Sequence, residues 1–331
     1  MIIHPFLSNI PLLHPSSTQG SENDFVVPVC LTAPVNMNIT GMSFHTQGRS
    51  GSGLVELAYL SERITIMKGG TRGLTDGNIV ADVALKAMKG QRNSVSGDQG
   101  SASDGFVPLN ISVNAGDVIT LIPNATGNNE KITYITLFGD TVADWALAKD
   151  LFDSPNQLTW STAPTRERNG IGALGRRTVW SAIAAQKFTA AVSGIGKAGF
   201  MRAWLYTGDG AANIRHQMGF KDTAAAKTFG LWIDPSQATN DLFTQYNDGS
   251  IEAAGVDLSS QQFYMVYVIF WNGLISAGLC PQRPLATSPE VGNQTTSFNN
   301  NLINLTVDKV YFGWSNGGGT ESPAFDMLEV F

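Results

Sequence analysis

A chain of 331 residues and 35.4 kDa is long enough for about two domains, each with its own core. Only 15% of its residues are charged, while 43% are hydrophobic and 35 are glycine; this excludes a disordered chain and a long-helix or coiled-coil composition. With 21 Lys and Arg against 27 Asp and Glu, the formal charge of −6 argues against a phosphate-tracking nucleic-acid binder.

Residues 1–25 read as an extended docking arm. Ile2, Ile3, Phe6, Leu7, Ile10, Leu12 and Leu13 are apolar, and Pro5, Pro11 and Pro15 argue against regular structure. Apolar residues in such number are not left to solvent, so the arm should lie on its own domain or on a neighbouring subunit. Ile2, Ile3, Phe6, Leu7, Leu12 and Leu13 are the candidate subunit-docking residues, and deleting the arm should leave both domains folded. No basic region precedes the apolar residues, so no secretory signal is expected. The longest apolar run, Phe263 to Trp271, is far shorter than the ~20 residues of a spanning helix, and no membrane insertion is expected.

Residues 26–140 read as a β-sandwich. In Phe106 to Asn114, Val107, Leu109, Ile111 and Val113 share one face and Asn110, Ser112 and Asn114 the other, the pattern of a half-buried strand. Ala115-Gly116-Asp117 turns the chain into Val118–Ile122, and Ile132–Phe138 alternates again. Val26–Leu31, Leu54–Leu60 and Ile64–Met67 are further strand candidates. Ile79–Met88 fits a strand or a helical face, and Ser94–Gly105 has the composition of a flexible loop.

Residues 141–180 read as a short helix and a linker. Thr141 and Asp144 fit a capping pattern, Val142, Trp145 and Phe152 share a helical face, and Ser154-Pro155 ends it. Five prolines and glycines between Pro155 and Gly175 mark the connection. The local basic excess of Arg166, Arg168, Arg176, Arg177 and Lys187 reads as a solvated or protein-docking segment.

Residues 181–331 carry the sharpest strand signals. Phe200–Tyr206 alternates, and Ile214, His216, Met218 and Phe220 share a side. Tyr246 to Ile251 is a hairpin signal. The apolar run to Trp271, followed by Asn272-Gly273 and Leu274-Ile275, is a central strand entering a type I′ turn. Lys309–Trp314 and Ala324–Phe331 close the domain. The fold class expected is therefore all-β: two sandwich or jelly-roll domains joined by a short helix and a Gly/Pro-containing linker, after an extended arm.

The order of these elements resembles the concanavalin A-like jelly roll of the laminin-G type. The resemblance rests on the strand around Trp204, the strand at Phe229–Ile233, the Asp248-Gly249 turn, and the long strand before Asn272-Gly273. Val310-Tyr311-Phe312-Gly313 and the closing Phe325–Phe331 complete it, although Ala324 stands where that family commonly has a glycine before its last strand. The whole chain, with its proline-rich arm and neutral-polar β domains, is similar to bacteriophage virion proteins of the tail-fibre, receptor-binding or head-decoration types. That resemblance implies a virion location after assembly in the host cytoplasm. It also implies partners among other virion proteins and copies of itself, a homotrimer above all, and a cell-surface glycan.

No catalytic constellation emerges, so a non-enzymatic protein is expected. Glycosidases need two facing carboxylates; Asp76 with Asp82, or Asp241 with Asp248, read instead as turn caps and exposed charge. His216 lies on an apolar strand face and reads as a core residue. The two cysteines, Cys30 and Cys280, read as small hydrophobes in a reduced compartment, and no metal site is assigned. No cofactor is expected, with calcium left open because the laminin-G resemblance implies rim ligands, here Asp209 to Asn213 or Asp98 with Asp104. For a glycan, Tyr246, Asn247 and Asp248 are the candidate ligand-binding residues, since they flank a turn and reach solvent. Trp204, Trp232, Trp271 and Trp314 read mainly as core. The alternatives to a tail appendage are a head-decoration protein, and outside the virion a free lectin or glycan-cleaving enzyme.

Overall fold

The computed structural model describes residues 4–14, 26–48, 63–84, 101–124, 131–151, 158–162, 166–167, 177–179, 186–207, 215–234, 241–247, 249–254, 258–259, 262–279, 294–315 and 324–331. These form two compact units, one running to Trp145 and the other from Ala146. Both are all-β, with antiparallel sheets throughout.

The first unit holds β1 (His4–His14), β2 (Val29–Thr32), β3 (Met37–Gly48), β4 (Arg63–Lys68), β5 (Asn78–Ala84), β6 (Ser101–Val113), β7 (Val118–Asn124) and β8 (Lys131–Gly139). They make two four-stranded sheets, ordered β1-β8-β3-β6 and β2-β7-β4-β5. In β6 the expected alternation holds, with Ile111 and Val113 buried and Asn110 and Ser112 exposed. The Ala115–Asp117 turn is closed by the Asn114 amide donating to Asp117 Oδ2 at 2.8 Å. Ile79–Met88 resolves as strand over Asn78–Ala84; its stretch beyond Ala84, like Leu54–Leu60, lies outside the described residues.

Two expectations in this unit need correction. The loop expected over Ser94–Gly105 is strand from Ser101 onward, paired with Phe44 to Gln47 of β3. The small polar residues there are held by a long partner strand, and backbone ladder bonds are indifferent to side-chain polarity. The arm is also more regular than its prolines suggest. His4–His14 is a strand paired along β8, with register shifts between Pro5 and Leu7 and between Leu7 and Ile10. It lies at the sheet edge, where a missing proline N–H costs no ladder bond, and bulges absorb the rest.

The second unit begins with β9 (Ala148–Asp150), β10 (Arg166–Glu167) and β11 (Arg177–Val179), then β12 (Gln186–Gly196), β13 (Ala198–Tyr206), β14 (Arg215–Asp222) and β15 (Lys227–Ile233). It continues with β16 (Leu242–Tyr246), β17 (Gly249–Ala254), β18 (Phe263–Trp271), β19 (Leu274–Leu279) and β20 (Gln294–Phe298), and ends with β21 (Val307–Ser315) and β22 (Ala324–Val330). One sheet runs β10-β11-β22-β13-β18-β19-β20, with β9 also on β22; the other runs β12-β21-β14-β15-β16-β17. Aromatic side chains fill the space between them, among them Phe188, Phe220, Phe229, Phe270 and Phe312. The Asn272-Gly273 turn has positive φ at both residues, as a type I′ hairpin requires, and β18 lies inside its sheet with Val266 to Phe270 all buried.

The short helix expected over Thr141–Phe152 does not form. Val142 is 70% exposed while Trp145 is buried, and Trp145 stacks on Phe6 with ring centroids 4.8 Å apart. The Leu147 amide then donates to Val330 O at 2.7 Å, and Ala148–Asp150 pairs with Val330–Leu328. Sheet pairing offered by β22 outweighs the weak helix propensity of this short segment. Asp150, buried, accepts from the Trp160 indole N–H at 2.8 Å and from the Leu158 amide at 3.4 Å. Within the stretch expected as linker, Arg166–Glu167 pairs with Arg177–Val179, which in turn pairs with β22.

Candidate functional site

Alternation along the strands divides the β12–β17 sheet into two faces. Phe188, Ala190, Met218, Phe220, Phe229, Leu231, Val310 and Phe312 pack in the core, so the residues between them point to the opposite, outer face. Strand register sorts the outer residues into rows. The first row is Lys187, Gly313, Gln217, Trp232 and Phe243. The second is Thr189, Tyr311, Gly219, Gly230 and Gln245. The third is Ala191, Lys309, Lys221 and Thr228.

The middle of this face is an aromatic and amide floor. Gly219 and Gly230 sit opposite each other, and a Cβ on Gly219 would lie 2.1 Å from Phe229 O. No side chain fits there, and over that bare backbone Gln245 Nε2 donates to the Tyr311 hydroxyl and to Leu231 O at 3.2 Å. Trp232 and Phe243 stand beside each other, their centroids 5.4 Å apart and tilted by 39°. Lys187 Nζ lies 5.5 Å over the Tyr311 ring.

Gln217 is 1% exposed, and among the described residues neither atom of its side-chain amide has a hydrogen-bond partner. A buried amide without partners costs roughly 1–3 kcal/mol for each polar atom, so this residue is expensive in the chain alone. Around the floor, Lys187, Thr189, Lys221, Thr228, Phe243 and Lys309 are half-buried. Such a set can stack a flat ring and offer planar donor–acceptor pairs to hydroxyl groups.

The residues singled out from the sequence fall differently. Tyr246 is on the core-facing side, opposite Phe229, half-buried against the core, with Lys227 Nζ 5.2 Å over its ring. Asn247 is exposed with φ +47°; its amide donates to Thr228 O at 2.8 Å and its Oδ1 accepts from the Thr228 amide at 3.0 Å. It therefore extends the third row. Asp248 lies outside the described residues, as do Ile2, Ile3, Asp98 and the segment 208–214. Asp104 sits in β6 opposite Phe44. Among the described residues, no three His, Cys, Asp or Glu gather as a metal site.

The arm's candidate docking residues, where described, lie on their own unit. Leu7 and Leu12 are buried within the first unit, Phe6 is committed to Trp145, and Leu13 is paired with Ile132. Pairing with β8 puts alternate side chains inward, so Leu7 and Leu12 serve their own core. Exposed apolar residues in this unit include Val35, Leu74, Phe106 and Val142, and on β5, the end strand of its sheet among those described, Ile79 at 66% and Val80 at 37%.

Asp76 accepts from the Thr71 amide and hydroxyl, and the amide bond above all holds its carboxyl below the usual range. Asp82 is held low by Arg63, which it meets at 2.7 Å. Asp241 departs from the expected exposed cap: it is buried and accepts from the Leu258 amide at 2.5 Å. His216 is a core residue. Its Nε2 lies 3.2 Å from Thr207 O, an acceptor, so Nε2 carries the proton and Nδ1 is bare. Burial pushes its pKa down to about 4, against the opposing pull of the Thr207 carbonyl and Asp234.

Sequence reasoning missed Gln217, Gln245, Tyr311, Lys221 and Lys309. Gln217 sits in the polar phase of a recognised alternation and Lys309 and Tyr311 in a recognised strand, but only register shows that they share a face with Lys221 and Gln245. Trp232, read as core, belongs to the outer face.

No protein-family model matches the chain, and no curated protein matches it in sequence. Solved structures give low likenesses. The CBM2 module of the evolved Dit of Lactobacillus casei BL23 phage J-1 is 12% identical, with TM-score 0.37, over 56% of this chain and 94% of that one. Arcelin-5, a lectin-like defence protein from Phaseolus vulgaris, is 10% identical, with TM-score 0.37, over 56% and 95%. A mutant of the GH43 protein BlXynB from Bacillus licheniformis is 11% identical, with TM-score 0.38, over 71% and 47%.

Proposed function

We propose that the chain is a non-enzymatic surface protein of a bacteriophage virion, of the tail-appendage kind, whose second unit binds a host-surface glycan. The observation that carries the glycan reading is the outer face of the β12–β17 sheet, where Trp232, Phe243, Gln217 and Gln245 surround a glycine-floored strip. Asn247, exposed at the end of the third row, supplies its rim, with Oδ1 held by the Thr228 amide. Across β12, β21, β14, β15 and β16 the outer positions hold amides, lysines and aromatics, whereas glycoside cleavage calls for two facing carboxylates; this favours binding over hydrolysis.

The first unit is the anchor, joining the protein to other virion proteins and to its own copies as a homotrimer. The exposed apolar residues of the edge strand β5 support that role, as does the low charge of the whole chain, since interface cores are poor in Lys, Glu and Asp.

The test is binding of the full chain to an immobilised panel of neutral and acidic glycans, with Phe243→Ala compared at unchanged melting temperature. Binding that Phe243→Ala weakens supports the reading, and no binding across the panel overturns it. Localising the protein on intact particles decides the rest: density on the tail supports the appendage role, and density on the head lattice replaces it with decoration.

A further inference from the structure

The lysines of the outer face narrow the ligand. Lys221 and Lys309 are direct cross-strand partners on the same face, and among the described residues neither has an ion pair. Like charges placed opposite each other on a sheet destabilise it. The adjacent carboxylates are turned to other work: Asp222 accepts from the amides of Ala225 and Thr306, both at 2.8 Å, and Asp308 from the Thr223 amide at 2.9 Å. Lys187 adds a third cation to the face, in the first row. Across the outer positions of these five strands there is no Asp or Glu, in a chain whose net charge is −6.

From the paired, half-buried lysines and the unpartnered Gln217 amide two rows away on the same face, we infer that the face takes an anionic polysaccharide bearing carboxylates. This rests on the glycan reading above and specifies its ligand class. Lys221 and Lys309 neutralise one acid group, and their mutual repulsion is relieved when it arrives. Gln217 then finds donor and acceptor partners on the sugar, and Phe243 stacks against a ring. Lys187 is aligned with Gly313, four residues along β21 from Lys309, which is about 13 Å of strand. One sugar ring does not span that length, so the ligand is a chain and not a monosaccharide.

The experiment uses the full chain and three polymers: polygalacturonate, dextran and dextran sulfate, each in low and high salt. The wild type should bind polygalacturonate in preference to dextran, and salt should weaken that binding. The double variant Lys221→Gln/Lys309→Gln should lose at least about tenfold in affinity for polygalacturonate, with a melting temperature unchanged or raised. Gln217→Leu should fold at least as stably and also bind less. Equal binding of dextran and polygalacturonate, or full affinity in the double variant, overturns the inference while the glycan reading stands. Dextran sulfate bound with polygalacturonate ignored overturns the carboxylate assignment. If none of the three binds, and the wider panel is also negative, both readings fall.

Discussion

Tyr311 and Gln245 meet although two strands separate them. Tyr311 stands opposite Gly219, Gly219 opposite Gly230, and Gly230 opposite Gln245, so across these four strands the row has two side chains flanking two gaps. The long side chains close over the gaps and hydrogen-bond to each other, and both are buried. Two glycines in the middle of adjacent strands weaken a sheet by entropy; here their absence of side chains is what lets the outer face keep a polar floor.

Tyr311→Phe removes one partner of that bond and leaves Gln245 with Leu231 O alone. The expected loss is about 1–2 kcal/mol in unfolding free energy, without a change in denaturant m-value. Gly219→Ala should cost more, because its Cβ meets the Phe229 carbonyl, which is backbone and cannot swing aside. Chemical denaturation of both variants checks the order; a Gly219→Ala protein as stable as wild type would contradict the close approach.

The arm is expected to be indispensable to the first unit's own fold. Deleting residues 4–14 removes one of the two partners of β8 and uncovers the space filled by Leu7, Ile10 and Leu12. Each buried side chain of this kind contributes roughly 1.5–3 kcal/mol, so hydrogen exchange of β8 and β3 amides should lose protection while β13 and β18 keep theirs. Unchanged protection in β8 would restore the arm to a role outside its own unit.

Acid should destabilise the second unit through His216. Its folded pKa of about 4 lies below the ordinary 6.5, so the unfolded chain binds the extra proton between those values. Stability from this residue is therefore full above pH 6.5 and is lost as pH falls toward 4, by about 3 kcal/mol at most. Melting temperatures measured from pH 7.5 to 4 should fall, and the fall should be shallower in His216→Leu. Parallel curves for the two proteins would show that another group governs the acid limb.

Asp150 should matter far more than its place in a three-residue strand implies. Asp150→Ala takes the acceptor from the Trp160 indole and the Leu158 amide inside a buried environment, at an expected cost of about 2–3 kcal/mol. Asp150→Asn keeps an acceptor oxygen and should recover part of the loss. Thermal denaturation of the pair tests this, and equal losses in both variants would argue that the charge, not the hydrogen bonds, is what the site needs.

Much of this was legible in the linear pattern, for reasons that particular residues show. The alternation at Ile111 and Val113 marks a strand because burial on one face selects apolar residues at every second position. Asn272-Gly273 marks a hairpin because few residue pairs adopt two successive positive φ values. The Thr141–Phe152 segment misled because capping and periodicity are local, while the partner that recruits Ala148–Asp150 lies at Leu328–Val330. Tyr246 misled because flanking a turn does not say which face of the sheet a ring takes.

Local pattern, then, was sufficient for the charge-poor composition, the all-β class, the turns and the phase of most strands, since each depends on neighbours in sequence. Register between distant strands was not, because every strand offers the same backbone donors and acceptors to any partner. Only the tertiary pairing could set Lys221 against Lys309, bring Gln217 beside Trp232, and close Tyr311 over Gly219 and Gly230 onto Gln245. A composition low in charge thus proves uneven in space: the outer positions of β12, β21, β14, β15 and β16 hold Lys187, Lys221 and Lys309 and no Asp or Glu.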